Sequence, residues 1–378
     1  MDERRHRLEN GPDDSVRLRT ETAPLAVTVR RACAPGKLLL FGEHAAVYGY
    51  PALGLALKPS LTVEYEQVRQ NRWSIAFGGA DSGAAAPFFD EELFFRHLER
   101  TLGEFFESSR APEEKALPPG LLRVETELPL SSGFGSSAAL CTALARLVLD
   151  QQSPAEPNDR HGGLDYSTSP SRPDPYRIWL LAHRLERFFH GTPSGIDTGI
   201  SALGGAQAFF FDRDRELPRT GRPRSDSLQS SLPRARPYAL PPLHLVVGSV
   251  PRETDTKALV AGVRRRHAEF PEETEHLLQS LGEIALSVIE GPAPTASDLG
   301  TAAGRAQEQL CRLGVSSPLL DRVLHTGIEN GAIGGKLSGA GGGGAFFLVC
   351  DSADVSSTVE DAVRKLLPPE GTIFKLGP

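Results

Sequence analysis

Cysteine is scarce: Cys33, Cys141, Cys311 and Cys350 are the only four in 378 residues, far apart and with no CxxC pair. That spacing argues against a zinc ribbon or a disulfide scaffold and fits a reducing, cytoplasmic setting. No apolar run reaches the roughly 18–20 residues that cross a bilayer, so no membrane partner is expected. Positive charge is not in excess either. Asp plus Glu number 48 against 41 Lys plus Arg, a formal charge of −7. A chain that binds nucleic acid by neutralising phosphates would be basic, so no nucleic-acid partner is expected. The opening segment, MDERRHRLENGPDDSVRLRTETAP, mixes both charge signs and has no apolar h-region. Residues 1–25 read as a frayed, disordered tail, neither signal peptide nor anchor. No internal repeat is present.

Hydrophobic residues make up 39% of the chain, enough for a core, but 38 Gly and 30 Pro dilute them. The length suggests two or three domains. Gln151–Pro175 is rich in Ser, Pro, Asp and Gly, and Arg213–Pro242 is similar but Arg-heavy. Both are expected to be flexible insertions. Arg213, Arg215, Arg219, Arg222, Arg224, Arg234 and Arg236 read as a solvated loop, with a phosphate-attracting flap as the alternative. Elsewhere, apolar runs predict strands at Val27–Arg31, Leu38–Leu40, Leu53–Leu57, Leu61–Val68, Leu121–Glu127 and Ala206–Phe211. Helices are predicted near Asp90–Phe106, Ser137–Asp150 and Tyr176–Phe189, with a short one before the last of these strands. A second block opens with a strand at Leu243–Gly248 and is helical to about Asn330. Two strands around a glycine cluster, a helix and a strand finish it. Strands and helices grouped in runs predict an α+β fold.

The segment Ser131-Ser132-Gly133-Phe134-Gly135-Ser136-Ser137-Ala138-Ala139-Leu140 lies between a predicted strand and an amphipathic helix. Glycines let a turn present consecutive N–H groups, and a helix N-terminus adds orphan donors and partial positive charge. Phosphate is the natural guest, with the Ser136 and Ser137 hydroxyls available to phosphate oxygens or Mg²⁺. An ordinary Ser/Gly helix cap is the plainer reading. A dinucleotide fingerprint is the runner-up: Gly133, Gly135 and Ala138 satisfy GxGxxA, and Gly339, Gly341 and Gly344 satisfy GxGxxG. The first lacks the following strand and acid, and the second opens a strand where a helix is needed. No Gly-Lys-Ser/Thr follows either cluster, so a Walker A loop is absent.

Lysine is rare, with seven in the chain, and Lys37 stands after a Pro-Gly pair at a predicted join between two strands. Such a lysine can simply guard a strand edge. However, APGKLLLFGEHAAVYG (34–49), LPLSSGFGSSAAL (128–140), HGTPSGID (190–197), VPRETDTKALVAGVR (250–264) and KLSGAGGGGAFFL (336–348) occur in one order along the chain. Together they resemble the signature blocks of the GHMP-type small-molecule kinases, and among these the mevalonate-phosphorylating branch. The tail and the two insertions depart from that pattern. The 250–264 block carries two extra residues, so the matching threonine is Thr254 or Thr256, with Thr256 preferred.

The resemblance implies a two-domain α+β fold with mixed or antiparallel sheets and a site between the domains. Residues 26–240 would bind nucleotide and substrate, and 241–378 would form a C-terminal domain. It implies ATP as co-substrate, Mg²⁺ as cofactor and mevalonate as acceptor, with phosphomevalonate, a sugar or homoserine as alternative acceptors. A homodimer is compatible with it. Asp197 matches the catalytic base and Lys37 its partner. Ser131, Ser132, Gly133, Gly135, Ser136, Ser137 and Ala138 match the nucleotide loop, and Ser137 and Glu186 the Mg²⁺ ligands. Glu43, His44, Thr256, Gly339 and Ala340 match the substrate region. Thr192-Pro193-Ser194-Gly195 reads as an N-cap with Pro at N1, which would put Asp197 in the first turn of a helix, where its charge is favoured. His183, Glu186 and His190 share one helix face, so zinc is an alternative reading there, although no HExxH is present.

Overall fold

The computed structural model describes residues 29–67, 72–79, 82–85, 89–108, 117–130, 132–150, 173–211, 232–254 and 256–377. The first half runs β1 (Val29–Phe41), a 3₁₀ turn (Ala45–Tyr48), β2 (Ala52–Glu66), β3 (Ser74–Gly79), β4 (Ser82–Ala85), α1 (Glu91–Ser108), β5 (Leu121–Thr126), α2 (Ser136–Leu149), α3 (Pro175–His190), α4 (Ile196–Leu203), β6 (Ala206–Phe210) and β7 (Arg234–Pro237). The second runs β8 (His244–Val250), α5 (Thr256–Glu269), α6 (Pro271–Glu290), α7 (Ala296–Leu313), α8 (Pro318–Glu329), β9 (Gly334–Leu337), β10 (Gly344–Cys350), α9 (Ala353–Arg364) and β11 (Thr372–Leu376). The grouping is α+β, as the runs of like elements predict.

Two sheets result. The larger has the order β4-β3-β5-β2-β6-β7, with β1 also on β2, and every pairing is antiparallel except β3 with β5. The smaller has the order β11-β8-β10-β9 and is antiparallel throughout. Helix α2 is buried on nearly all sides, from Ala138 to Val148. That explains its Ala/Leu composition, since a helix apolar all round belongs inside. It packs against α3, β1 and β2. Asp174 caps α3 by accepting from Tyr176 N, and Pro175 opens it, where a missing N–H costs no hydrogen bond.

Several boundaries differ from expectation. The runs predicted as separate strands before and after Pro35-Gly36 form one strand over their described residues, from Val29 on, and so do Leu53–Leu57 and Leu61–Glu66; Gln67 lies past the end of β2, and Val27 and Val68 lie outside the described residues. The pairing steps from Pro35↔Ser60 to Lys37↔Ala56, so Gly36 stands opposite three residues of β2, 57–59: the bulge lies in β2, and the Pro-Gly pair runs on through β1 without making a turn between strands. Strands β3 and β4 carry too few large apolar residues to read as strands. Within Arg213–Pro242, residues 234–237 form the edge strand β7, held by antiparallel pairing with β6. Residues 1–28, 151–172 and 212–231 lie outside the described set.

Candidate active site

Lys37 stands where the register of β1 against β2 shifts, with the glycine loop beside it. Its N–H donates to Phe134 O at 2.8 Å. Gly36 has no room for a side chain there, because a Cβ would lie 2.9 Å from that same carbonyl. The Lys37 stem then crosses Gly135, where a Cβ would come within 2.6 Å of Lys37 Cγ. Gly135 is also the N-cap of α2 at φ 76°, a left-handed conformation glycine adopts without strain. Lys37 is buried, and its Nζ lies 3.1 Å from Asp197 Oδ2, whose side chain is about one-third exposed.

Asp197 is the second residue of α4. The expected cap is displaced: Gly195, at φ 86°, is the N-cap, so Thr192 does not cap this helix and Pro193 is not its first residue. Ser194 Oγ accepts from Ile196 N at 3.3 Å instead. Asp197 remains in the first turn, at the positive end of the helix dipole.

A cleft of about 920 Å³ opens at this pair. Ser132, Gly133, Gly135, Ser136 and Ser137 line it, so the loop and the α2 N-terminus face the open volume. The Ser132 hydroxyl donates to Pro129 O, within its own loop. Ala138 is fully buried behind the lining and does not reach the cleft. Ser131 lies outside the described residues. Phe134 points away into the core, against Phe374.

Glu186 is buried beside Asp197 and Ser137. Burial, then the Asp197 charge, push its carboxyl up to about 8, while Lys37, Thr198 and Ser137 pull it down. Its Oε1 has no hydrogen-bond partner. Glu186 itself does not line the cleft and lies just behind Ser137 and Asp197, which do. A buried carboxylate with an orphan oxygen beside a cleft-lining hydroxyl fits a hard divalent cation that would favour the ionised form. Zinc does not fit. Among the described residues no group of three His, Cys, Asp or Glu could hold a metal. His183 is buried with its pKa lowered to about 4 by desolvation and then by Arg187 and Arg184. His190 shares its Nε2 with Ser137 Oγ at 3.3 Å.

Glu43, His44, Gly339 and Ala340 come together although nearly 300 positions separate them. His44 Nε2 donates to Ala340 O at 3.0 Å, so the neutral ring carries its proton on Nε2. Burial lowers the His44 pKa. His44 is the one non-glycine at positive φ among the described residues, at 55°, a strained conformation that its surroundings must hold. Glu43 is buried against Lys336 and lines the cleft. Ser338 Oγ accepts from Leu39 N at 2.9 Å, a further link between the two sheets. Thr254 and Thr256 both line the cleft, and Thr256 Oγ1 accepts from Arg252 at 2.7 Å.

Two cations received no role from the sequence. Arg252 and Lys257 line the cleft with Lys37. A Cβ on Gly133 would lie 3.0 Å from Arg252 Nη2, which puts that guanidinium against the glycine loop. Together the three lower the His190 pKa after the larger effect of burial. Their signal was present in the 250–264 block. Of the seven insertion arginines, Arg234 and Arg236 are described, both in β7. Neither lines the cleft: Arg236 pairs with Glu290 at 2.8 Å and stacks over Phe210.

The arrangement offers backbone amides and cations to an oligophosphate and a paired carboxylate to a proton. The family model of the GHMP kinases N terminal domain matches residues 95–205, and that of GHMP kinases C terminal matches 292–368. The chain is 30% identical to a mevalonate kinase of Pyrococcus horikoshii, covering 84% of this chain and 87% of that one. It is 30% identical to a mevalonate kinase of Bos taurus, with 88% and 89% covered. The fold is similar to that of L. major mevalonate kinase in complex with R-mevalonate, at TM-score 0.67 and 19% identity over 93% of this chain and 97% of that one. It is also similar to Streptococcus pneumoniae phosphomevalonate kinase, at TM-score 0.65 and 16% identity over 92% and 100%.

Proposed function

The chain belongs to the GHMP kinase family, and on that premise we propose that it transfers the γ-phosphoryl group of ATP to the primary hydroxyl of mevalonate, giving 5-phosphomevalonate for isoprenoid precursor synthesis. The observation that carries the reading is the Lys37–Asp197 pair, 3.1 Å apart beside the glycine loop of α2. Residues 26–240 form the nucleotide- and substrate-binding domain and 241–378 the C-terminal domain.

The loop amides from Gly133 to Ser137 hold the nucleotide phosphates, with Lys37, Arg252 and Lys257 neutralising their charge. Mevalonate sits toward Glu43, His44, Gly339 and Ala340, with Thr256 at the entrance. The acceptor oxygen forms a bond to the γ-phosphorus, the bond from that phosphorus to the bridging oxygen breaks, ADP leaves, and the hydroxyl proton passes to Asp197. Timing follows from magnitudes. An alcohol hydroxyl is about as weak an acid as water, and full deprotonation by a carboxylate would cost about 16 kcal/mol, too much for prior deprotonation. The proton therefore moves late, as the new O–P bond forms, and Lys37 steadies the developing charge. Ser137 and Glu186 would hold Mg²⁺, which when bound offsets negative charge on the phosphate oxygens.

Among the described residues no helix is long and apolar enough to cross a membrane. The test is ADP release measured with mevalonate, phosphomevalonate, homoserine, galactose and no acceptor. Release that depends on mevalonate alone is expected. Equal release with another acceptor, or with none, contradicts the assignment.

A further inference from the structure

Helix α4, which carries Asp197, has eight residues, too few to be stable by itself. Its position is set by what it packs against. At its N-terminal end Trp179 Nε1, buried in α3, donates to Gly195 O at 2.8 Å. In the middle, Gly199 lies so close to Trp179 and Phe209 that a Cβ would come within 2.7 Å of the latter ring. At its C-terminal end stands Arg146, a buried arginine in the last turn of α2.

Arg146 joins three elements. Its Nη2 donates to Ser201 O and Ala202 O, each at 3.2 Å, in the last turn of α4. Its Nη1 donates to Cys33 O in β1, four residues before Lys37. Beside it Ser201 Oγ donates to Pro35 O at 2.8 Å. The guanidinium therefore ties α2, whose N-terminus faces the cleft, to the strand that carries Lys37 and the helix that carries Asp197. Its charge also complements the negative end of the α4 dipole. A lysine offers one nitrogen at the end of a flexible stem and cannot bridge two elements in the same fixed geometry.

We propose that Arg146 is a positioning residue for phosphoryl transfer: through α4 it fixes Asp197 relative to Lys37 and the phosphate loop. This rests on the catalytic role of Asp197 given above. Arg146 touches none of the reacting atoms and acts through α4. A displacement of α4 by a fraction of an ångström lowers turnover, and nucleotide affinity changes little.

The test is a double-mutant cycle between Arg146→Lys and Asp197→Asn, with kcat and KM for ATP and mevalonate measured well below the melting temperature and scaled to folded protein. Arg146→Lys is expected to lower kcat about 10–100-fold, the cost of a small misplacement, and to change KM for ATP less than about threefold. In the Asp197→Asn background the same change should cost less than about twofold, because the group it positions is gone. Trp179→Phe, which keeps an aromatic side chain but removes the indole N–H at the other end of α4 along with part of the buried ring system, should behave alike and serves if Arg146→Lys does not fold. Equal losses in both backgrounds, or wild-type kcat in Arg146→Lys, overturn the proposal while the role of Asp197 stands. Full turnover in Asp197→Asn alone overturns the role of Asp197, and the positioning role with it.

Discussion

Lys336 and Glu43 form an ion pair that solvent does not reach, one from β9 and the other just past β1. Lys336 also donates to Leu337 O at 2.6 Å and lies over the Phe347 ring. The pair joins the smaller sheet to the end of the strand that carries Lys37, beside the cleft. Burial lowers the Lys336 pKa, and the Glu43 charge opposes that shift.

Removing one member of such a pair strands the other without solvent. Lys336→Met should cost about 3–5 kcal/mol in urea denaturation, and adding Glu43→Leu should recover most of that loss. A double variant as unstable as the single one would show that the pair's packing, and not its charge, holds the seam.

The second glycine cluster makes a steric prediction. Gly341 has φ 87°, and a Cβ there would lie 1.9 Å from Val315 O. Gly204 has φ 72° but nothing within 4 Å of the same point. Gly204 has ψ 177°, a backbone region open essentially to glycine alone, so Gly204→Ala should cost that strain without a clash, about 1–3 kcal/mol. Gly341→Ala adds a backbone clash and should cost clearly more by the same melt. Equal losses would mean that the Val315 turn yields freely.

Chemistry was more legible in the sequence than geometry. Lys37, Ser137 and Asp197 could be named because each stands in a block that carries the resemblance, and Glu186 because the resemblance implies it; the structure brings Lys37 and Asp197 to one place. The long β1 was not legible, since Pro35-Gly36 signals a turn locally and stays in the strand only because β2 bulges opposite it. The α4 start was misplaced by three residues because Thr-Pro resembles a cap, whereas Gly195 takes the left-handed N-cap conformation. Arg146 gave no signal, because its acceptors are backbone carbonyls on elements remote in sequence. Arg252 and Lys257 were in a recognised block, but nothing in their spacing said which way they face.

His183 gives the fold an acid limit. Its pKa is about 4 when folded, against 6.5 for an exposed histidine. Between those values the unfolded chain binds a proton that the folded chain does not, so stability is lost as pH falls from about 6.5 toward 4. The melting temperature should drop across that window, and His183→Leu should flatten the drop. An unchanged slope would assign acid sensitivity to other groups.

Glu186→Gln keeps the shape and removes the charge offered to a cation. The Mg²⁺ concentration for half-maximal rate should rise by about tenfold or more, with the KM for mevalonate little changed. A superimposable Mg²⁺ titration would contradict the ligand role.

The most direct measurement is turnover by Asp197→Asn with mevalonate and saturating Mg·ATP, alongside its ATP affinity. A fall in kcat of about 10²–10⁴-fold is predicted, with ATP bound within a few-fold of wild type. Wild-type turnover would remove Asp197, and with it the Lys37–Asp197 pair, from the chemistry.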